Sequence, residues 1–359
     1  MKILTVGYLH GAGGAERQII LLSNQLAVRG FDVTLCILAE NKSKYPINDD
    51  VKIVDLSKRE GKSRLHILKR LLSFRKCVNK VKPDVIVNYN LQSAYFCLTL
   101  SKNARGKVVY SERGDPYDDE YSGILGFLRD YTVRKMDGLV FQSEGARDFF
   151  PSSVIQKSIV IHNSVNIPQN QYPMPNVREK RIVSVGRLHH QKNPHLLIDA
   201  FARIANRFID YTFDIYGDGE LRKELQDHID RLALHNRIHL IPSRSDVFDC
   251  IYKASLFVLA SDYEGMPNAL MEAMALGLPC ISTDCRPGGA RTLIEDGVSG
   301  VIVPCRDVEK LSGAMEYVLN NPDKGEMFAQ NARLLQNTHT DFLIFNKWSD
   351  YINYIKNEF

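Results

Sequence analysis

The stretch Ser261-Asp-Tyr-Glu-Gly-Met-Pro-Asn-Ala-Leu-Met-Glu272 decides how this chain of 359 residues is read. Leu256-Phe-Val-Leu-Ala260 precedes it, an apolar run of the length of a buried strand. It leads into Ala269-Leu-Met-Glu-Ala-Met-Ala-Leu276, strong helix formers closed by Gly277. Pro267 suits the first helical position, where a missing amide proton costs nothing. The amides of Asn268, Ala269 and Leu270 then point at the loop, a ready site for phosphate. Glu264 falls in the loop and Glu272 inside the helix, so one carboxylate can meet a sugar ring while the other meets a ribose. Carboxylates suit both tasks because each oxygen accepts hydrogen bonds from vicinal hydroxyls. Either glutamate alone reads more readily as a solvated surface residue; the strand, Glu-Gly-Met-Pro loop, helix and second Glu together point to a ligand.

Outward from this stretch, strands and helices alternate. Strands are expected at Lys2–Tyr8, Val33–Ala39, Val51–Leu56, Asp84–Tyr89, Val108–Tyr110, Leu139–Gln142 and Ile159–His162. A second series runs through Arg181–Val185, Thr212–Tyr216, Ile238–Ile241, Leu256–Ala260, Cys280–Thr283 and Val301–Val303. Such alternation indicates parallel sheets covered on both faces, hence an α/β fold of two Rossmann-like domains. The Pro-, Asn- and Gln-rich segment between the series, with Pro168, Pro173 and Pro175, reads as a linker. The expected divisions are 1–166, a linker 167–180, 181–340, and a terminal segment 341–359.

Several strand ends carry candidate ligand groups. Gly11-Ala-Gly-Gly-Ala-Glu-Arg17 follows the first strand as a Rossmann opening does, but a dinucleotide fingerprint wants Gly where Glu16 stands. Glu40, near the end of the second strand, could serve as a ribose acid, so an NAD-dependent oxidoreductase stays open here. In Val185-Gly-Arg-Leu-His-His-Gln-Lys-Asn-Pro194, Arg187 and Lys192 are two cations at a strand's carboxyl end. A fixed guanidinium fork and a movable ammonium would neutralise a departing diphosphate. Gly217, in Tyr216-Gly-Asp-Gly219, lets backbone approach a ligand closely, though a plain tight turn needs the same residue. Arg291, in Gly288-Gly-Ala-Arg291, could reach a phosphate but reads more readily as a loop-packing residue.

The Glu264-x7-Glu272 signature, the Gly186–Pro194 segment and the Gly13-Gly14-x-Glu16 loop resemble the retaining glycosyltransferases of the two-domain (GT-B) type, family 4. The resemblance extends over nearly the whole chain. It implies two Rossmann-like domains facing each other across a cleft. It also implies a last helix, around Phe345–Ile355, crossing back to the first domain on Trp348, Tyr351, Ile352 and Ile355; a cap on the second domain reads equally from sequence alone. The implied chemistry is transfer of a hexose or N-acetylhexosamine from a nucleotide sugar, a UDP-sugar above all. The acceptor would be a polyprenyl-diphosphate-linked saccharide, as in bacterial capsule or O-antigen synthesis.

Arg187, Lys192 and Glu264 would be catalytic. Gly13, Gly14, Gly217, Ser243, Arg244, Gly265, Met266, Pro267, Asn268, Ala269 and Glu272 would hold the donor, with Ser243 and Arg244 at the base. Glu16, Arg113 and Asp115 would line the acceptor side. Arg113 stands where many members of that family have His, and could bind an acceptor phosphate instead. No metal and no cofactor beyond the donor are expected. The alternatives kept open are a nucleotide-sugar epimerase, the oxidoreductase, and a non-catalytic polysaccharide-binding protein.

Composition is that of a soluble globular protein, with 44% hydrophobic and 25% charged residues. No apolar run reaches the ~18 residues of a membrane span, and the amino terminus is too strand-like for a signal peptide. The seven cysteines are scattered without a Cys-x-x-Cys pair, which suggests reduced thiols in the cytoplasm. The net charge is only +4, yet Lys62, Arg64, Lys69, Arg70, Arg75, Lys76, Lys80 and Lys82 cluster without an acid. Leu65, Leu68, Leu71, Leu72 and Val78 form a stripe at helical spacing among them. That helix presents a solvated face, lies on an anionic membrane, or does both, with its apolar stripe toward the core and its lysines toward headgroups. A peripheral location on the inner face of the cytoplasmic membrane follows from the second reading; no nucleic-acid partner is expected.

Overall fold

A computed structural model describes residues 1–9, 11, 13–43, 45–57, 64–118 and 122–358. Lys62, Asp119 and the side chains of Glu40, Arg64 and Leu65 lie outside the described residues. The chain forms two compact units, one of Met1–Asn163 with Asp341–Phe359, the other of Ser164–Thr340.

The first unit contains β1 (Lys2–Leu9), β2 (Asp32–Asn41), β3 (Lys52–Asp55), β4 (Val85–Asn88), β5 (Lys107–Ser111), β6 (Gly138–Phe141) and β7 (Ser158–Val160). They pair in parallel in the order β3-β2-β1-β4-β5-β6-β7. Side chains alternate between the two faces of a strand, so a sheet covered on both needs an unbroken apolar run. Ile3 joins one cluster, with Ile19 and Leu26 of the helix Gly14–Val28 and with Phe345, Trp348 and Ile352. Leu4 joins the other, with Phe74 and Val78 of the helix Arg64–Val81, Phe96 of Leu91–Leu98, and Val133 of Gly123–Lys135. Burying each such side chain contributes roughly 1.5–3 kcal/mol.

The second unit contains β8 (Glu179–Val185), β9 (Thr212–Tyr216), β10 (Ile238–Ile241), β11 (Ala254–Leu259), β12 (Cys280–Thr283) and β13 (Val301–Val303). Their order is β10-β9-β8-β11-β12-β13, again parallel throughout. In both units the strand order reverses beside the first strand, between β1 and β4 and between β8 and β11. The carboxyl ends at such a reversal are where open α/β sheets bind ligands.

Three local features differ from, or add to, the sequence expectations. The segment 167–180 is not a free tether. Ile167 and Tyr172 are buried in the second unit's core, Tyr172 packs edge-on against Phe248 and Tyr252, and β8 already begins at Glu179. Its prolines set the path of a chain that Tyr172 anchors. Pro267 is the N-cap, not the first helical residue, because its ψ of 96° is still extended; the helix is Asn268–Ala275. The terminal helix Asp341–Glu358 belongs to the first unit, where Trp348, Ile352 and Ile355 are buried and the Tyr351 hydroxyl accepts from the Leu139 amide at 2.9 Å. Among the described residues no helix is long and apolar enough to cross a membrane.

Candidate active site

At the switch point of the second unit, two loops are tied together residue by residue. After β8, His190–Lys192 makes one 3-10 turn, and the imidazole Nδ1 of His189 accepts from the Gln191 amide at 3.2 Å. Asn193 then adopts a left-handed conformation (φ 44°), which Asn tolerates better than most residues. Its side chain caps the next helix by accepting from the Leu196 amide, and its Nδ2 donates to Asp262 Oδ1 at 3.0 Å. Asp262 is the third residue of the loop after β11, so this bond locks the two loops in register.

That register delivers Lys192 to Glu264. The Lys192 ammonium forms an ion pair with Glu264 Oε1, and the Ser261 hydroxyl donates to the same oxygen at 2.8 Å. Only 9% of the Glu264 side chain and 18% of that of Lys192 are exposed, so each charge depends on the other. The Glu264 amide donates to the Arg286 carbonyl at 2.8 Å, which fixes the carboxylate's root. A second strut runs alongside: Arg187 Nη2 donates to Gln191 Oε1 at 3.0 Å, and Gln191 Nε2 donates to the Tyr263 carbonyl at 2.9 Å. Arg187 itself is exposed. Beneath the loop, burial and the nearby Glu264 carboxylate push the Cys285 thiol up, so it stays a neutral packing group.

Glycines bring the backbones together here. A Cβ on Gly217, where φ is +154°, would sit 1.8 Å from the Gly186 carbonyl oxygen. One on Gly289 would lie 2.2 Å from the Gly265 carbonyl oxygen, so Gly288-Gly289 backs the loop that carries Glu264. Gly265, Met266 and Pro267 are buried in that loop; Asn268, Ala269 and Glu272 are half-buried. The first intrahelical bond is Met271 N–H to the Pro267 carbonyl at 3.1 Å. The amides of residues 268–270 therefore precede the ladder, at the positive end of the helix. Glu272 sits on the next turn of the same helix.

Ser243 and Arg244 follow β10. The Ser243 amide donates to Asp218 Oδ2 at 3.1 Å, and the Arg244 guanidinium grips Asp246 with two bonds, at 2.8 and 2.7 Å. The carboxylate of Asp246 raises the pKa of that guanidinium further. Arg291 is paired with Asp284.

In the first unit, Gly13 is the N-cap of the helix Gly14–Val28 and provides no side-chain cap. Glu16, in the first turn, instead folds the preceding loop back on the helix, since its Oε2 accepts from the Gly11 amide at 2.9 Å. Among the described residues its Oε1 is buried without a hydrogen-bond partner. Arg113 lies 4.1 Å over the Tyr89 ring and 5.7 Å from that of Trp348, and its Nη1 donates to Asn163 Oδ1 at 2.9 Å. Burial lowers its pKa and raises that of Tyr89, but the guanidinium stays charged. Asp115 is buried and accepts from the Tyr117 amide at 3.0 Å, holding a turn. Glu112, which the sequence did not single out, accepts from the amides of Arg113 and Gly114, both at 3.0 Å. The structure therefore engages Arg113 and Asp115 in the loop after β5.

Lys192 and Glu264 meet, as do the Arg187 and Glu264 loops. Ser261, Gln191 and Asn193 were missed, and so was Arg222. The Arg222 guanidinium donates to the carbonyls of Leu240 and Gly217 at 2.9 and 2.5 Å and so holds the glycine turn against β10. These partners are up to 72 residues apart in the chain, a separation that no spacing rule reports. Among the described residues no group of three or more His, Cys, Asp or Glu is arranged to hold a metal ion.

Residues 170–335 match the family model for glycosyl transferases group 1, and residues 12–169 match that for Glycosyltransferase Family 4. The chain belongs to the family 4 glycosyltransferases. This glycosyltransferase is 25% identical to the Campylobacter jejuni alpha-1,4-N-acetyl-D-galactosaminyltransferase named for GalNAc-alpha-(1->4)-GalNAc-alpha-(1->3)-diNAcBac-PP-undecaprenol, across 99% of both chains. It is 24% identical to the amylovoran biosynthesis glycosyltransferase AmsD of Erwinia amylovora, over 98% of this chain and 99% of that one. Its fold matches that of Anabaena HepE, solved in complex with UDP-glucose, with a TM-score of 0.78, 20% identity, and coverage of 99% and 100%. Membership of this family replaces the epimerase alternative.

Proposed function

We propose that this glycosyltransferase moves a hexose or N-acetylhexosamine from a UDP-sugar to a polyprenyl-diphosphate-linked saccharide, with retention and without a metal. The observation that carries this reading is the Lys192–Glu264 pair, set at the β8/β11 switch point beside the start of the helix Asn268–Ala275. In the pair, a cation suited to phosphate and a carboxylate suited to sugar hydroxyls hold each other in place until a donor divides them. The donor's diphosphate would take Lys192, Arg187 and the helix amides, and the sugar hydroxyls would take Glu264. Glu272, one turn further on, would take the ribose hydroxyls, and the backbone at Ser243 and Arg244 the base.

Charge develops on the diphosphate as the sugar leaves, so cations already fixed there lower the barrier most. In this account the departing phosphate oxygen accepts the acceptor's proton on the face it leaves, which gives retention with no enzyme nucleophile. In this account Lys192, Arg187 and the helix amides neutralise the diphosphate, so that no metal is required. The C. jejuni relative supports the lipid-linked acceptor by its name, and the UDP-glucose complex of HepE supports the donor class. Peripheral attachment on the cytoplasmic side, through the acid-free helix Arg64–Val81, completes the reading.

A panel of UDP-, GDP- and dTDP-sugars with an undecaprenyl-diphosphate-linked disaccharide, with product anomers read by NMR, tests it. An alpha-linked product from one UDP-sugar, formed equally in chelator, is expected. A beta-linked product would overturn retention, and loss of activity in chelator would overturn metal independence.

A further inference from the structure

The helix Gly123–Lys135 is amphipathic with its faces exchanged. The residues it buries are Gly126, Arg129, Thr132 and Val133. Those it turns outward include Ile124 at 79% exposure, Phe127 at 70%, Leu125, Leu128 and Tyr131. At about 100° per residue, positions 124, 127, 128, 131 and 135 share one stripe, so the apolar face is continuous along the helix. The buried face is polar because Arg129 is used structurally: it donates to the Pro116 carbonyl at 2.6 Å and stands 4.6 Å over the Phe149 ring. A row of large apolar side chains left in water marks an interaction surface.

The charges around the stripe indicate what covers it. The helix's one acid, Asp130, is paired with Arg129, while Arg134 and Lys135 close the last turn. The Lys135 ammonium lies 5.6 Å over the Tyr131 ring, an aromatic and a cation side by side as at a lipid headgroup boundary. The helix Arg64–Val81 packs on the same face of the sheet, since Phe74, Val78 and Val133 share one core with Leu4 and Val108. Its outer side exposes Ile67, Leu68 and Leu72 among Lys69, Lys76 and Lys80, with no acid. One side of the first unit thus combines an apolar stripe with an acid-free basic surface. A helix of 13 residues is only about 20 Å long, enough to lie in a bilayer interface but not to cross it.

We propose that the Ile124/Phe127/Leu128/Tyr131 stripe inserts into the interface of an anionic lipid bilayer while the cations of Arg64–Val81 meet its headgroups. This deepens the reading above, on whose lipid-linked acceptor it rests. The stripe supplies the component of attachment that salt does not screen, because burial of apolar area is independent of ionic strength.

Sedimentation with phosphatidylglycerol/phosphatidylcholine vesicles tests this, comparing the unmutated chain, Ile124→Glu/Phe127→Glu and Lys69→Glu/Lys76→Glu/Lys80→Glu, with UDP affinity measured on each. The unmutated chain should stay partly bound at about 0.5 M salt, where the Debye length has fallen to a few Å. Ile124→Glu/Phe127→Glu should lose at least about tenfold of its partitioning at every salt concentration with UDP affinity unchanged. The lysine variant should lose binding chiefly at low salt. Phe127→Trp should be quenched by brominated lipid; the only native tryptophan, Trp348, is 1% exposed. Overturning results are unchanged partitioning of the glutamate variant, no quenching of Phe127→Trp, or an unmutated dimer that the glutamate variant makes monomeric without altering vesicle binding. Loss of UDP binding in the unmutated chain would instead count against the donor site and leave the lipid result standing.

Discussion

The two units share a strand order and a switch point, yet furnish that point differently. In the second unit the loops after β8 and β11 are joined by Asn193–Asp262, Gln191–Tyr263 and Lys192–Glu264, and the charged groups at the junction face one another. In the first, the loop after β1 folds on itself through Glu16 and the Gly11 amide, and the loop after β5 is held by Glu112 and Asp115. In the same unit the Arg113 guanidinium lies over the Tyr89 ring, with the Trp348 ring further off. A pre-set, mutually neutralised ion pair suits a small polyanionic donor that must be held to one geometry. Self-contained loops suit a surface on which a longer acceptor lies.

The largest expected effect is on the second unit's pair. Lys192→Ala should lower turnover by ~100-fold or more, as removal of one electrostatic stabiliser does. It also leaves the Glu264 carboxylate, only 9% exposed, with Ser261 as its one remaining side-chain hydrogen-bond donor among the described residues. Lys192→Ala and Glu264→Ala should therefore be strongly non-additive: the double variant's transfer rate should fall well short of the product of the two losses. Strict additivity in steady-state rates would mean the pair does not act as a unit.

Next is the close approach of backbones behind the pair. Gly217→Ala places a methyl against the Gly186 carbonyl and should destabilise the second unit by more than ~2 kcal/mol, read as a fall in the midpoint of chemical unfolding. An unchanged midpoint would show that the β8 and β9 loops can part without cost. Glu272→Ala should weaken UDP by ~1–3 kcal/mol, the worth of hydrogen bonds to a charged acceptor, in a calorimetric titration. Arg113→Ala should have the smallest effect on the donor. It should leave UDP affinity alone and raise KM for the lipid-linked acceptor, together with a stability loss of about 1 kcal/mol from the lost ring stacking. A change in UDP affinity would erase the contrast between the units.

Much of this was legible from sequence where it rests on local pattern. Apolar runs in alternation with helical segments placed every strand within a residue or two, and the Glu-Gly-Met-Pro loop before a run of helix formers located the helix Asn268–Ala275. Three things were hidden for a common reason. Tyr172, within a proline-rich segment, looked like linker until aromatic partners some eighty residues away were seen around it. Lys192 and Glu264 were assigned separate ligands because nothing in their spacing reveals that they touch. The helix Gly123–Lys135 drew no notice because its periodicity is that of any amphipathic helix; only the fold shows which face is inside. Sequence patterns report the period of burial well, but the sign of a face and the partners of a charge depend on the packing of distant segments.

The most direct test of the central claim is UDP titration into Glu264→Ala beside Lys192→Ala. If the pair divides between sugar and diphosphate, removing Glu264 releases the Lys192 ammonium, so UDP should bind Glu264→Ala at least as tightly as the unmutated chain while transfer collapses. Lys192→Ala should bind UDP more weakly. Equal weakening of UDP by both substitutions would contradict the division of labour on which the account of the site rests.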